Sequence, residues 1–134
     1  MSEFKVLFVD DERNVLNSFS RIFFNEPITI YTAENAKEAL DLLSSTPMDL
    51  VVTDIKMPDT HGLELIEQIR KDDRTTPVII YSAFPGMKND CIIQTHAIKA
   101  YYTKPDDYDL ICAKIKEMAF LKADREGDQD QDSC

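Results

Sequence analysis

The chain has 134 residues, of which 43% are hydrophobic and 30% charged, a composition that fits one globular domain with a sizeable core. Its net charge of −10 argues against a nucleic-acid-binding surface, because a phosphate backbone requires clustered basic residues and those here are scattered. No apolar run is long enough to span a membrane, and residues 1–5 do not begin a signal-peptide pattern. Cys91, Cys112 and Cys134 lack metal-binding spacing and predict free thiols in the cytoplasm.

Short apolar runs alternate with segments of helical periodicity along most of the chain. The runs predict buried parallel strands at residues 4–9, 29–33, 50–53, 78–81 and 100–102. Helical segments follow at residues 15–23, 36–43, 63–69, about 88–97 and 111–118. Asn35 and Glu38, three residues apart, predict a capping box at the start of the second helix. Five strands alternating with five helices indicate a parallel sheet covered on both faces, although periodicity alone leaves the strand order open.

The last residues differ in composition from the rest. From Ala123 onward the chain is polar, with five acids and one Arg and no apolar period. We therefore predict a domain over residues 1–122 and an acidic polar tail or linker stub over residues 123–134. The composition fits a natural end and a linker to a further domain equally well.

Reactive side chains follow four of the predicted strands. In chain order they are Asp10, Asp11 and Glu12, then Asp54, then Ser82, then Lys104. Because the carboxyl ends of parallel strands meet at one edge of the sheet, where α/β proteins bind ligands, we expect these groups to lie together.

This set matches the requirements of phosphoryl transfer to a carboxylate. Mg²⁺ prefers one or two carboxylates together with phosphate oxygens, and a carboxylate can act as the nucleophile that becomes an aspartyl phosphate. The transfer requires positive charge around the phosphoryl oxygens, which the metal ion and a Lys supply. Each residue alone also has an ordinary structural interpretation: an acidic helix cap, a loop carboxylate, a turn serine or a surface lysine. Their joint position at successive strand ends favours the chemical interpretation.

Four short motifs carry these residues. They are Val9-Asp10-Asp11-Glu12, Asp54-Ile55-Lys56-Met57-Pro58 with Gly62, Tyr81-Ser82-Ala83, and Tyr101-Tyr102-Thr103-Lys104-Pro105. In this order and spacing, residues 4–121 closely resemble the receiver domains of bacterial two-component response regulators. The resemblance implies an α/β fold, the doubly wound (βα)5 flavodoxin-like receiver fold, with a five-stranded parallel sheet in the strand order 2-1-3-4-5.

The resemblance also implies a role for each motif residue at a magnesium site. Asp54 is the expected phosphoacceptor. Asp11, Asp54 and the backbone carbonyl of Lys56 are the expected Mg²⁺ ligands, and Asp10 is expected to act through a metal-bound water.

Around the phosphoryl group, the resemblance implies contacts from Lys104, the Ser82 hydroxyl and the backbone N–H of Ala83. Tyr101 is the expected conformational switch, turning inward when a new dianion at the acceptor attracts Ser82. The Lys104-Pro105 bond matches a family bond that is commonly cis.

The implied function is a signalling domain that accepts a phosphoryl group from a sensor histidine kinase and then signals to a partner or output domain. No turnover of a substrate is expected beyond self-catalysed transfer and autodephosphorylation. We predict slow autodephosphorylation, because Phe84 lies two residues after Ser82 and offers no hydrogen bond to orient a water; Lys56 flanks the same path.

Two other functions, a phosphohydrolase and a binding module without phosphorylation, are alternatives to this interpretation. A magnesium phosphohydrolase requires Asp-x-Asp after the first strand, and here Glu12 stands two residues after Asp10. A binding module that has lost phosphorylation is disfavoured by the intact acceptor, serine and lysine.

The segment 94–100 lacks the Gly that the family often has before the last strand. His61 and His96 lack partner sets for a metal or phosphorelay role and are interpreted as surface or loop residues.

Overall fold

The computed structural model describes residues 3–55, 62–72, 75–83 and 98–132. Its strands are β1 Phe4–Val9, β2 Ile28–Ala33, β3 Leu50–Thr53, β4 Val78–Ser82 and β5 Ala100–Thr103. The helices within the described ranges are α1 Arg13–Ile22, α2 Ala36–Ser45, α3 Gly62–Asp72 and the C-terminal helix Tyr108–Asp132. The predicted helix at residues 88–97 lies outside the described residues. None of the described helices combines the length and the apolar character that crossing a membrane requires.

The five strands form one parallel sheet in the order β2-β1-β3-β4-β5, which confirms the predicted fold. β1 lies between β2 and β3, with Val9 aligned to Ala33 on one side and Thr53 on the other. β4 pairs with β5 so that Ser82 is aligned with Thr103. The residues that follow β1, β3, β4 and β5 therefore emerge at the same edge of the sheet.

Both faces of the sheet are covered by helices, which explains why the sequences of the central strands are continuously apolar. On one face, Phe8 packs with Phe19 of α1 and Ile115 of the C-terminal helix. On the other face, Val51 packs with Ile66 of α3 and the buried residues of α2. Burying each such apolar side chain stabilises the folded state by roughly 1.5–3 kcal/mol relative to leaving it exposed. These two layers hold the strand ends in a fixed relation.

The second helix begins with the predicted capping arrangement, with one difference. The Asn35 side chain accepts a hydrogen bond from the Glu38 N–H at 2.9 Å. The Glu38 carboxylate accepts from the N–H of Glu34, also at 2.9 Å, rather than from that of Asn35. Two backbone donors that precede or open the helix are thus satisfied by side chains.

The C-terminal helix is longer than the sequence pattern indicated. It continues to Asp132, past Ala123, where we predicted that an acidic polar tail or linker stub begins. Extending an existing helix adds one hydrogen bond per residue without a new nucleation step, so a polar segment can be helical without an apolar period. The helix is attached to the opposite edge of the sheet by Lys122, whose ammonium lies 3.0 Å from both carboxylate oxygens of Asp49.

Candidate functional site

The site begins with two buried carboxylates on the neighbouring strands β1 and β3. The Asp54 N–H donates to the Val9 carbonyl at 3.0 Å, so Asp54 lies beside the residue that follows Val9, Asp10. Asp10 is 4% exposed and Asp54 6% exposed, whereas Asp11 and Glu12 lie at the exposed rim. Carboxylate oxygens of these four residues lie within 4.8 Å of one another. The sequence prediction that the acidic groups meet at one edge is confirmed.

Lys104 joins this cluster from the end of β5. Its backbone N–H donates to the Ser82 carbonyl at 2.8 Å, and the Lys104-Pro105 bond is cis, as the resemblance implied. Its ammonium donates to Asp10 Oδ2 at 2.5 Å and to Asp54 Oδ2 at 3.0 Å. A third, longer contact of 3.3 Å reaches Glu12 Oε1. One ammonium thus neutralises part of a cluster of carboxylates that would otherwise repel one another.

The pKa shifts in the cluster follow from burial and from this contact. Burial raises the pKa of Asp10 to about 6, although hydrogen bonds from Lys104 and from the Glu12 N–H oppose the rise. Burial alone lowers the pKa of Lys104, but the carboxylates of Asp10 and Asp54 outweigh it and hold that pKa above its ordinary value. The lysine therefore stays charged at neutral pH. The neighbouring Asp54 carboxylate adds to the rise for Asp10, and such repulsion between carboxylates is relieved when a further cation binds.

Ser82 at the end of β4 and Tyr101 in β5 lie at the same edge of the sheet as the acidic cluster. Ser82 is 1% exposed, and its side chain hydrogen-bonds the hydroxyl of the half-buried Tyr101. Burial raises the pKa of Tyr101, the Asp54 carboxylate raises it further, and the Ser82 contact opposes both. The two residues expected to respond to the acceptor therefore lie next to each other and within its electrostatic influence. Ala83 directly follows Ser82 and is exposed.

Several sequence predictions fall on residues that the structure does not describe. Lys56, the expected carbonyl ligand, and Phe84, the expected flank of the water path, lie outside the described residues, as do His61 and His96. Of the three cysteines, Cys112 is a free, buried residue. Cys91 and Cys134 lie outside the described ranges.

Besides the pairing of Lys104 with Asp10, the structure adds two contacts that sequence reasoning missed. The Lys104 ammonium lies over the ring of Tyr81, 5.7 Å from the ring centroid. Burial raises the pKa of Tyr81 to about 12, and the nearby Lys104 lowers it. Glu12 takes part through its backbone N–H, which donates to Asp10 Oδ1 at 2.9 Å. The alternation of side chains along β4, which places Tyr81 on the opposite face from Ser82, is the sequence signal for the first contact.

The family model for the response regulator receiver domain matches residues 6–116. The chain therefore belongs to the response regulator receiver domains, a family of signalling domains whose general function is phosphorylation on an aspartate.

Curated relatives include proteins of two different lengths. The chain is 36% identical to the response regulator protein PilR of Pseudomonas aeruginosa over 80% of this chain and 24% of PilR. It is 30% identical to sporulation initiation phosphotransferase F of Bacillus subtilis over 89% of this chain and 96% of that protein. The chain thus spans about a quarter of one relative and nearly all of the other.

Solved structures show the same fold. The response regulator TrrA of Thermotoga maritima, in complex with Mg²⁺ and BeF, has a TM-score of 0.76 at 33% identity, covering 85% of this chain and 97% of that one. The receiver domain of the Francisella response regulator 1452 has a TM-score of 0.77 at 30% identity, covering 88% and 98%.

Proposed function

We propose that this domain accepts a phosphoryl group on Asp54 from a sensor histidine kinase in a magnesium-dependent reaction. The observation that carries the proposal is the contact between Lys104 and Asp54 inside a partly buried acidic cluster, with 3.0 Å between Nζ and Oδ2. The cluster supplies a nucleophile, a site for a cation and a fixed positive charge. These are the components that phosphoryl transfer requires.

Asp54 is a better acceptor than its neighbours. Lys104 lies closer to Asp10, at 2.5 Å, than to Asp54, at 3.0 Å, so Asp10 is the closer ion-pair partner of the lysine. Asp11 lies at the exposed rim, where a phosphoryl group would be further from the lysine and serine. Asp54 stands at the end of the central strand β3, between the carboxylates that follow β1 and the serine that ends β4.

The donor set fits Mg²⁺, which binds oxygen ligands and retains waters. Asp11, Asp54 and the backbone carbonyl of Lys56 are the proposed ligands, with Asp10 acting through water. The four carboxylates that lie within 4.8 Å of one another support this assignment, as does the TrrA relative in complex with Mg²⁺ and BeF. When bound, the ion supplies positive charge to the phosphoryl oxygens.

In the proposed transfer, a carboxylate oxygen of Asp54 attacks the phosphorus of a phosphohistidine. The new O–P bond forms as the P–N bond breaks, and the imidazole leaves with the electron pair and takes up a proton. Lys104 then contacts a phosphoryl oxygen, and the Ser82 hydroxyl and the Ala83 N–H donate to the others. The loss of the Ser82 contact changes the surroundings of Tyr101, which serves as the conformational switch.

The output of this reaction is a change in protein–protein contact rather than a released product. Autodephosphorylation is slow in this proposal, since Phe84 offers no group to orient water. The partner is a further protein or an output domain, with no contact to nucleic acid or membrane by this domain, and the reaction takes place in the cytoplasm. Response regulators among the relatives support the kinase as donor.

Intact mass spectrometry tests the proposal. The protein is incubated with acetyl phosphate and Mg²⁺, beside a sample in EDTA and the variant Asp54→Asn. We expect one added phosphoryl group that requires the metal and is absent from the variant. An adduct of equal yield in Asp54→Asn would overturn the assignment of the acceptor, and no adduct in the wild type would overturn the proposed function.

A further inference from the structure

The aromatic ring of Tyr81 borders Lys104 from β4, the strand that lies between β5 and β3. Tyr81 is 4% exposed and packs in the core layer formed with α1 and the C-terminal helix. The Lys104 ammonium lies over this ring at 5.7 Å from the centroid, within the range of a cation–π contact. The lysine is thus held by an uncharged surface as well as by carboxylates.

Neighbouring rings fix the orientation of Tyr81. Phe19 meets it edge-on, at 5.7 Å between centroids and 72° between planes. Phe19 itself stacks on Phe8 at 4.2 Å and on Tyr108 at 5.2 Å. Because these rings come from β1, α1 and the start of the C-terminal helix, the face of Tyr81 cannot turn away from Lys104 without disturbing several elements.

Binding of a metal ion or a phosphoryl group should change the contacts of Lys104 with the carboxylates but not its contact with the Tyr81 ring. A metal ion and a phosphoryl group change the charge and the hydrogen bonding of Asp10 and Asp54, the two close partners of Lys104. The face of Tyr81 takes no part in those bonds. The Lys104 side chain is 8% exposed, and in such a desolvated place an aromatic face attracts a cation more strongly than in water.

We propose that Tyr81 is a positioning residue for phosphoryl transfer: its ring face keeps the Lys104 ammonium beside Asp54 while the carboxylate partners change. This inference rests on the proposed function of Asp54. The attraction comes from the ring and not from the hydroxyl, so the conservative variant Tyr81→Phe retains the effect. Tyr81→Leu removes the ring and keeps an apolar side chain, and Tyr81→Met is a second ring-free variant that adapts to irregular space.

The contact itself is tested by NMR on the metal-free protein, without any phosphorylation. The ring current of Tyr81 shifts the terminal methylene protons of Lys104 upfield. We expect that shift in the wild type and in Tyr81→Phe, and its loss in Tyr81→Leu and Tyr81→Met. An identical Lys104 signal in all four proteins would overturn the inference.

The role is tested by the rate of phosphorylation from acetyl phosphate. We expect Tyr81→Leu or Tyr81→Met to react about three- to tenfold more slowly than the wild type, and Tyr81→Phe to stay within about twofold. In a Lys104→Ala background the same substitutions should have no effect, since Tyr81 acts through the lysine. An equal slowing in that background would show a general packing role and overturn the proposal, as would a wild-type rate in both ring-free variants. A wild type that accepts no phosphoryl group would overturn the proposed function, and the NMR comparison would still decide whether Tyr81 holds Lys104.

Discussion

The Lys104 ammonium donates to Asp10 Oδ2 at 2.5 Å, across 94 residues of sequence. Both side chains are almost fully buried, at 8% and 5% exposure. In this arrangement the lysine neutralises part of the charge of the acidic cluster. The same ammonium lies 3.0 Å from Asp54, so it can stabilise charge on the acceptor with a small movement.

Removing the lysine should destabilise the folded protein, because the carboxylates of the cluster would then repel one another. We expect Lys104→Ala to lower the free energy of unfolding in EDTA by roughly 1–3 kcal/mol, because it leaves buried carboxylates without their partner. Saturating Mg²⁺ should recover much of the loss, since a second cation takes over the neutralisation. Urea denaturation with and without Mg²⁺ measures both effects. Lys114→Ala is the matched control, because its contact to Glu117 lies on the surface of the C-terminal helix. Equal losses for the two variants would contradict the account.

The raised pKa of Asp10 predicts a specific dependence of stability on pH. Its ordinary value is 3.8 and burial raises it to about 6. The folded protein therefore binds this proton more tightly than the unfolded chain does. The stabilisation from this group is present below about pH 4 and is lost as the pH rises through about 6.

Asp10→Asn stays neutral and should not show that loss. We expect its advantage in free energy of unfolding over the wild type, in EDTA, to grow by on the order of 2 kcal/mol between about pH 4 and about pH 7.5. Thermal melts across this range provide the measurement. An advantage that shrinks as the pH rises would mean that the sign of the Asp10 shift is wrong.

The cap of α2 should matter for stability and not for phosphorylation. Asn35→Ala removes the acceptor of the Glu38 N–H, so we expect a loss of about 1 kcal/mol and an unchanged rate of reaction with acetyl phosphate. Asn35→Asp, which retains an acceptor, is the control. A cap variant that slows phosphorylation at unchanged stability would show that α2 acts on the site.

The contact between Lys122 and Asp49 predicts where the folded domain ends. The Asp49 carboxylate also accepts from the Lys5 N–H at 2.8 Å, so Lys122 joins the helix to the first strand as well. We expect a chain that ends after Lys122 to keep the stability of the full chain within about 0.5 kcal/mol. Lys122→Ala in the full chain should lower it by roughly 0.5–1 kcal/mol.

Hydrogen exchange of the C-terminal helix checks this division directly. Amides before Lys122 should be protected by packing on the core, and amides after it should exchange more rapidly, since the last turns of a helix fray. Equal protection to Asp132 would contradict the predicted boundary at residue 122.

The sequence predicted the fold well because its strands are buried on both faces. Runs such as 50–53 can be stable only inside a covered sheet, and their carboxyl ends then bring Asp10 and Asp54 together. The strand order came from the family resemblance, because hydrophobic periodicity does not specify which strands are neighbours. The extent of the C-terminal helix was not predictable from apolar spacing, since nothing in the sequence marks a polar segment as helical or flexible.

The side-chain partners within the site were less predictable. The sequence placed Lys104 near a phosphoryl group, but its pairing with Asp10 depends on side-chain conformation. The position of Lys104 over Tyr81 likewise depends on how Phe19 and its neighbours fix that ring. Such contacts require coordinates, because they join residues from four elements that are distant in sequence.

The identity of the acceptor is tested most directly by chemical mapping of the phosphorylated wild type. Borohydride reduces an acyl phosphate on aspartate to homoserine, which peptide mass spectrometry locates without any substitution. After reaction with acetyl phosphate and Mg²⁺, we predict homoserine at position 54 alone, and none in a sample treated with EDTA. Homoserine at position 10 or 11, or no homoserine in a protein that has gained a phosphoryl group, would contradict the assignment of Asp54.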